Sequence, residues 1–160
     1  VPVKTVDNVT QIFDGRLSPA AADILRGTCR FLNSLGFSSI PEVSLPDGRR
    51  ADIVAINNKG TVWIVEIKSS PEDFRTDNKW IDYKAHCDEF YFAVNSRFPK
   101  EILPQDEGLI IADRYGGDLL RNAEIDRISG ARRKIVTLRS LETAARRQQV
   151  LFDPGKFQAS

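Results

Sequence analysis

The chain has 160 residues, of which 41% are apolar and 28% charged, with a formal net charge of +1. That length suits a single domain, 1–160, with a real hydrophobic core, and the composition is ordinary for a soluble globular protein. No apolar run approaches the roughly 20 residues that span a bilayer, and "VPVKTVDNVT" lacks the continuous apolar segment of a secretory signal. Two cysteines, Cys29 and Cys87, and one histidine, His86, cannot complete a four-ligand zinc site without carboxylates. They form no disulfide framework either, so a reducing cytoplasm is the expected compartment.

Residues 1–18 show weak periodicity and predict an irregular start. "LSPAAADILRGTCRFLNSLGF" predicts a helix, with Ser18 as N-cap, Pro19 at its first position and Gly36 as its stop. Ile24, Leu25, Thr28, Phe31, Leu32 and Leu35 make its apolar stripe. Strands are expected at 41–45, 50–56 and 61–68. The turns at Asp47-Gly48 and "NNKG" (57–60) make these three an antiparallel meander.

"SSPEDFRTDNKWIDYKAHC" predicts a helix or two helical pieces, opened by Ser70, Pro71 and Asp73. Further strands are expected at 89–94 and 108–113, the latter followed by a "YGGD" turn. "SGARRKIVTLRSLETAARRQQ" predicts a closing basic helix over about 130–148. Its apolar stripe is Ile135, Leu138, Leu141 and Ala145, and Arg132, Arg139 and Arg146 recur on another side. The tail "DPGKFQAS" predicts a frayed end. The order αβββαβ, then strand and helix, implies an α/β fold: a central mixed sheet with helices on both sides.

Charge is unevenly spread. Residues 71–90 hold six acids against three bases, and residues 121–147 hold eight bases against three acids. A basic section of this kind suits either a solvated helix surface or a polyanionic partner.

The third expected strand, "TVWIVEIK", carries the chemistry. Alternation places Val62, Ile64, Glu66 and Lys68 on one face. The turn near 57–60 sets Asp52 opposite Glu66. Glu66 and Lys68 alone make an ordinary same-face ion pair, which contributes little. With Asp52 added, two close carboxylates call for a proton or a cation between them. A hard ion such as Mg²⁺ suits that pair, with Lys68 beside it to orient or activate a water or to balance charge on a phosphorane.

Asp52, thirteen intervening residues, then Glu66-Ile67-Lys68 is similar to the Asp…Glu-x-Lys signature of the PD-(D/E)xK nuclease superfamily. The strand and helix order from 20 to 94 resembles that superfamily's restriction-endonuclease-like core, about 20–113 at its widest. A longer likeness runs from about residue 25 to 135. "RGTCRFLNSLGF", "GRRADIVAI", "VWIVEIKSSPEDFRTDNKWIDYKAHCDEFYFAV", "FPKEILP", "GLIIADRYG" and "ARRK" resemble the MmcB-like family of bacterial DNA repair proteins. The resemblance implies a metal-dependent nuclease in DNA repair. Asp52, Glu66 and the Ile67 carbonyl would hold Mg²⁺ or Mn²⁺, and Lys68 would be the catalytic lysine. DNA, and a repair-protein partner, are the implied partners, with no membrane.

Many superfamily members also carry a glutamate on the first helix, facing the metal. Residues 20–35 contain none; Asp23 is the only acid there, and Glu42 lies off the matching position. That departure favours one metal over two, and leaves open a DNA- or partner-binding module with weakened or lost catalysis. A scaffold with a structural ion cluster is a third reading. Arg49, Arg50, Lys79, Arg132, Arg133 and Arg139 are the candidate nucleic-acid contacts, with Asp77 or Lys79 in reach of the cleft. Trp80 and Tyr83 suit packing on the sheet or stacking on a base. His86 and Cys87 read as structural.

Overall fold

The computed structural model describes residues 17–156. The expected irregular start, up to residue 16, and the last four residues of the expected frayed tail lie outside that range. The first helix, α1 (Pro19–Ser34), begins as the sequence predicts. The Ser18 hydroxyl accepts a hydrogen bond from the Ala21 amide at 3.1 Å, and Pro19 fills the first position, where no amide is needed. Gly36, at φ +88°, turns the chain out of the helix.

Six strands then form one sheet in chain order: β1 (Ser38–Ser44), β2 (Arg50–Ile56), β3 (Val62–Ile67), β4 (Glu89–Val94), β5 (Gly108–Ala112) and β6 (Gly117–Arg121). β1 to β3 make the expected antiparallel meander, β3, β4 and β5 are parallel, and β6 returns antiparallel. The sheet is thus mixed, as expected. β1 starts three residues before the predicted point. Pro41 read as a strand start, but on an edge strand a proline is tolerated within the run because no amide is needed toward solvent. β6 was not expected at all. Its sequence, "GDLLR", opens on glycine directly after a turn and is half-exposed along its length, so it carries little apolar signal.

Helices cover both faces. On one side α1 packs Ile24, Leu25 and Leu32 against Ile53, Val65, Tyr91 and Ile110. On the other, the segment after β3 folds into two short helices, α2 (Pro71–Arg75) and α3 (Trp80–Tyr83), and a 3₁₀ turn at Lys84–His86. Phe74, Trp80 and Tyr83 pack there on Phe90, Phe92, Val54 and Ile64. Every residue of β3 is buried, which explains its unbroken apolar run.

The long closing helix, α4 (Gly130–Phe152), corrects one expectation. The predicted stripe of Ile135, Leu138 and Leu141 does not face the core: these residues are 46%, 47% and 62% exposed. Val136 and Ser140 are the residues it buries. Polar interactions hold the helix instead. Arg133 donates to both oxygens of Asp88, at 2.5 and 2.8 Å, and Arg147 donates to the carbonyls of Pro41 and Glu42.

Asp88 is nearly inaccessible, at 2% exposed, and also accepts from the Val62 and Ile128 amides at 2.8 and 3.1 Å. One carboxylate therefore ties together the starts of β3 and β4, the segment before α4 and α4 itself. Burial pushes its pKa up, but the Arg133 and amide hydrogen bonds outweigh that and hold it below the ordinary value.

This packing has three measurable consequences. A Cβ on Gly27 would lie 1.6 Å from the Asp113 carbonyl oxygen, a backbone atom that cannot swing aside. Gly27→Ala is therefore expected to lower unfolding stability by about 1–3 kcal/mol, despite the better helix propensity of alanine, as read by urea denaturation. Arg133→Ala leaves Asp88 buried without its cation and should cost about 3 kcal/mol. Because the Asp88 pKa is depressed on folding, its contribution is full above the unfolded carboxylate pKa of about 4 and is lost as pH falls through the folded value. The stability gap between wild type and Asp88→Asn should accordingly narrow in acid, measured as midpoint against pH.

Candidate active site

The β2–β3 ladder pairs Ile56 with Val62 and Ile53 with Val65. One further step sets Asp52 opposite Glu66, as the turn length predicted. There the regular ladder stops and side chains take over. The Asp52 amide donates to Glu66 Oε1 at 2.9 Å, and the Ile67 amide donates to Asp52 Oδ2 at 2.8 Å. Each carboxylate is thus oriented by the other strand's backbone rather than by a flexible side chain.

Glu66 is 4% exposed and Asp52 half-buried. Burial, then the neighbouring Asp52 charge, holds the Glu66 carboxyl well above the usual carboxylate range. Burial also raises Asp52, against the lowering effects of the Ile67 amide, a hydrogen bond from Glu66 and the Lys68 charge. Two carboxyls in one buried site repel when both are charged, so the pair favours a shared proton or a cation between them.

Lys68 sits just past the end of β3 and is as buried as Glu66. Its amide donates to the Ala93 carbonyl at 3.0 Å, which prolongs the β3–β4 pairing. Its ammonium lies 2.6 Å from Asp77 Oδ2 and 3.9 Å from Asp73 Oδ1. Burial raises the Asp77 pKa, but the Lys68 contact and the Lys79 amide outweigh it, so the Asp77 carboxyl is held below its ordinary value. The break between α2 and α3 serves this pair: Asp77 lies in the interruption, where its side chain turns back to the strand end.

Asp52, Glu66, Ile67 and Lys68 all line one open cavity of about 330 Å³, with Asp73, Ser69 and the start of α1 around it. The four residues singled out from sequence are thereby brought together. α1 contributes Ser18 and Ala21 to this wall, and Asp23 points to solvent. α1 contributes no acid to the cavity lining. Among the described residues no group of three or more His, Cys, Asp or Glu is placed to hold a metal ion. The cavity lining offers the Asp52 and Glu66 carboxylates, oxygen donors of the chemistry that suits a hard divalent ion retaining several waters. Glu42 does not supply the missing group: it sits on β1 at φ +50°, beside Arg147.

The other singled-out residues separate. Arg49 lies 2.5 Å from Asp82 and 3.7 Å from Asp47. Arg50 is exposed two residues before Asp52, and Lys79 is exposed next to the Lys68–Asp77 pair. Arg132 donates to the Ala85 carbonyl and Arg139 to that of Ser44, both on the α4 side, while Arg133 is committed to Asp88. Trp80 packs against Phe90 and Phe92, with ring centroids 5.8 and 5.3 Å apart. Tyr83 is buried, and its hydroxyl donates to the Arg50 carbonyl at 2.9 Å. Burial, then the charges of Glu66 and Asp52, pushes the Tyr83 phenol up, which keeps it a donor. His86 reaches Asp47 at 3.3 Å, and Cys87 lies in the core. Sequence reasoning missed Tyr83 as the clamp beneath Arg50 and Asp88 as the hub of α4. Neither has a sequence signal, since both act through contacts 33 or more residues away.

Fold and site define an α/β domain that presents a carboxylate pair and a lysine at the end of a central strand. A family model described as DNA repair protein MmcB-like matches residues 8–155, and the chain belongs to that family. It is also similar to a solved structure, the SPO1766 protein of unknown function from Silicibacter pomeroyi. The two are 39% identical, the match covers 89% of this chain and 99% of that one, and the TM-score is 0.84. No curated protein matches the chain at a significant level. Among the described residues no helix is long and apolar enough to cross a membrane.

If the cavity takes a divalent ion, the ion stabilises the fold by mass action, by about 2.7 kcal/mol at a hundredfold excess over Kd. Thermal denaturation in Mg²⁺ or Mn²⁺ should show a raised midpoint for wild type and none for Asp52→Asn. Glu66→Gln should lose the same shift while leaving the metal-free midpoint equal or higher, because it removes a carboxyl whose charged form burial disfavours.

Proposed function

We propose that this protein is a cytoplasmic DNA repair enzyme of the PD-(D/E)xK type that hydrolyses phosphodiester bonds with Mg²⁺ or Mn²⁺. The observation that carries this reading is the convergence of Asp52, Glu66 and Lys68 in one cavity at the end of β3. The family description supplies the repair setting. In this reading Asp52, Glu66 and the Ile67 carbonyl hold the ion. A bound divalent ion supplies Lewis acidity toward a phosphate oxygen and charge stabilisation at the leaving oxygen.

The chain's own groups do the rest. The Asp52 and Ile67 amides fix the two carboxylates before any ligand arrives, so little reorganisation is needed at reaction. Asp77 holds the Lys68 ammonium in the cavity wall, where it donates to a phosphate oxygen as negative charge builds in the pentavalent state. A water oxygen forms the new bond to phosphorus and gives up its proton to solvent. The bond from phosphorus to the deoxyribose oxygen breaks, and that oxygen takes a proton from solvent. Arg50, two residues before Asp52, and Lys79, two residues after Asp77, are exposed and are the phosphate contacts this reading favours.

A second reading rests on the α1 side of the cavity. With no acid from α1 in its lining, the same cleft is also suited to holding DNA or a partner with little or no cleavage. The two are separated by incubating the full chain with single-stranded, duplex, nicked and branched DNA in Mg²⁺, in Mn²⁺ and in EDTA. The enzyme reading expects metal-dependent cleavage that falls by at least about a thousandfold in Lys68→Ala, while the variant stays folded, with a lowered thermal midpoint, and still binds DNA. Salt-sensitive DNA binding in EDTA, with no cleavage of any substrate, supports the binding module. Absence of both contradicts the two readings together.

A further inference from the structure

β3, β4 and β5 are parallel neighbours, so all three end on the side of the sheet that holds the carboxylate cavity. Ile67, Ala93 and Ile110 lie level across them. Beyond that level each strand delivers a cation. Lys68 follows β3, Arg97 stands in the turn after β4, and Arg114 stands in the turn after β5. Carboxyl ends of strands in an open α/β sheet are where such folds receive ligands. Lys68 is held by Asp77. Arg97 and Arg114 are exposed, and among the described residues neither has an acid partner.

Arg114 has an aromatic neighbour. Its guanidinium lies over the Tyr115 ring, 5.5 Å from the centroid. The tyrosine is 72% exposed and belongs to neither apolar core. Its backbone is nevertheless fixed. The Tyr115 and Gly116 amides donate to Asp113 Oδ1 at 2.8 and 3.1 Å, and the Asp113 amide donates to the Gly116 carbonyl at 3.0 Å. Arg30 of α1 donates to the Tyr115 carbonyl at 3.4 Å. α1 packs so closely on this turn that Gly27 has no room for a side chain against the Asp113 and Gly116 carbonyls. A braced turn thus presents an aromatic ring to solvent, backed on one face by an arginine.

The turn lies close to the cavity. Two strand spacings separate β3 from β5, about 10 Å. The route along α1 agrees: Ala21 lines the cavity, Gly27 meets the turn, and the six residues between them rise about 9 Å. At about 3.4 Å per stacked nucleotide, that distance is roughly three nucleotides of one strand.

We propose that Arg97, Arg114 and Tyr115 form a track for unpaired DNA leading away from the cavity, with the free face of the Tyr115 ring stacking on a base and Arg97 meeting the phosphates before it. Bases inside a duplex already stack on one another and offer no face to the ring. The substrate class is therefore single-stranded DNA, or a duplex with a single-stranded end or flap at the cavity. The track rests on the DNA reading above but not on cleavage.

The test measures binding of the full chain in EDTA, by fluorescence anisotropy, to a labelled thymidine dodecamer, an abasic strand of the same length and a duplex of the same length. Wild type is expected to bind the thymidine strand at least about fivefold more tightly than the abasic one. Tyr115→Ala should erase that preference by weakening the thymidine strand alone, and Tyr115→Phe should keep it. Arg97→Ala should weaken both single strands alike and flatten the slope of log affinity against log salt by about 0.7. Both side chains are exposed, so thermal midpoints should not move. Wild-type affinity for the thymidine strand in Tyr115→Ala, equal losses on the two single strands in that variant, an unchanged salt slope in Arg97→Ala, or tighter wild-type binding to the duplex than to the thymidine strand would each overturn the track alone. If wild type binds none of the three DNAs, the track and the DNA readings above fall together.

Discussion

The register between β2 and β3 governs both the core and the candidate site. Ile53 against Val65 fixes which residues face α1 and which face α2 and α3. The same register carries one step further and brings Asp52 to Glu66. A slip of one residue would turn every apolar side chain of β3 to the other face, and would part the two carboxylates at the same stroke. Core packing therefore enforces the site. β3 is buried along its whole length and pairs on both sides, so the register cannot relax without unmaking the sheet.

At the end of that strand the energetics change sign. Along 62–65 each side chain gains by leaving water. At 66 and 68 an acid and a base are buried to the same extent. The arrangement tolerates this through fixed partners: backbone amides for the carboxylates and Asp77 for the lysine. Two carboxyls still share one dry site, and that residual conflict is what a divalent cation would relieve. The same fold shows the opposite solution at Asp88. There a single buried acid is matched by one arginine and two amides, and no tension is left over. Buried acids thus serve two ends in this molecule, one structural and satisfied, the other strained and open to a cavity.

The parts of this picture legible in the sequence were those set by short-range rules. Ser18-Pro19 and Ser70-Pro71 are caps, and both cap as expected. The "NNKG" turn is short, so it dictates the pairing that follows, and with it the meeting of Asp52 and Glu66. The hidden parts depend on approach in space. β6 is a return strand whose five residues hold little apolar contrast. Asp88 is one acid among several until the segment at 128–133 folds over it. For α4 the sequence pattern marks an apolar face, but a pattern does not state what covers it. Arg133 and Arg147, which sit on the packed side, read from sequence as surface charge.

The central claim is that Asp52, Glu66 and the Ile67 carbonyl form a site for a hard divalent ion. Crystals of the full chain soaked in Mn²⁺ and measured at the manganese edge test it most directly. The account predicts an anomalous peak between the Asp52 and Glu66 carboxylates, at about 2.1–2.3 Å from their oxygens, and its disappearance in Asp52→Asn. A cavity without a peak at saturating Mn²⁺, with the two carboxyls still hydrogen-bonded to each other, would contradict it.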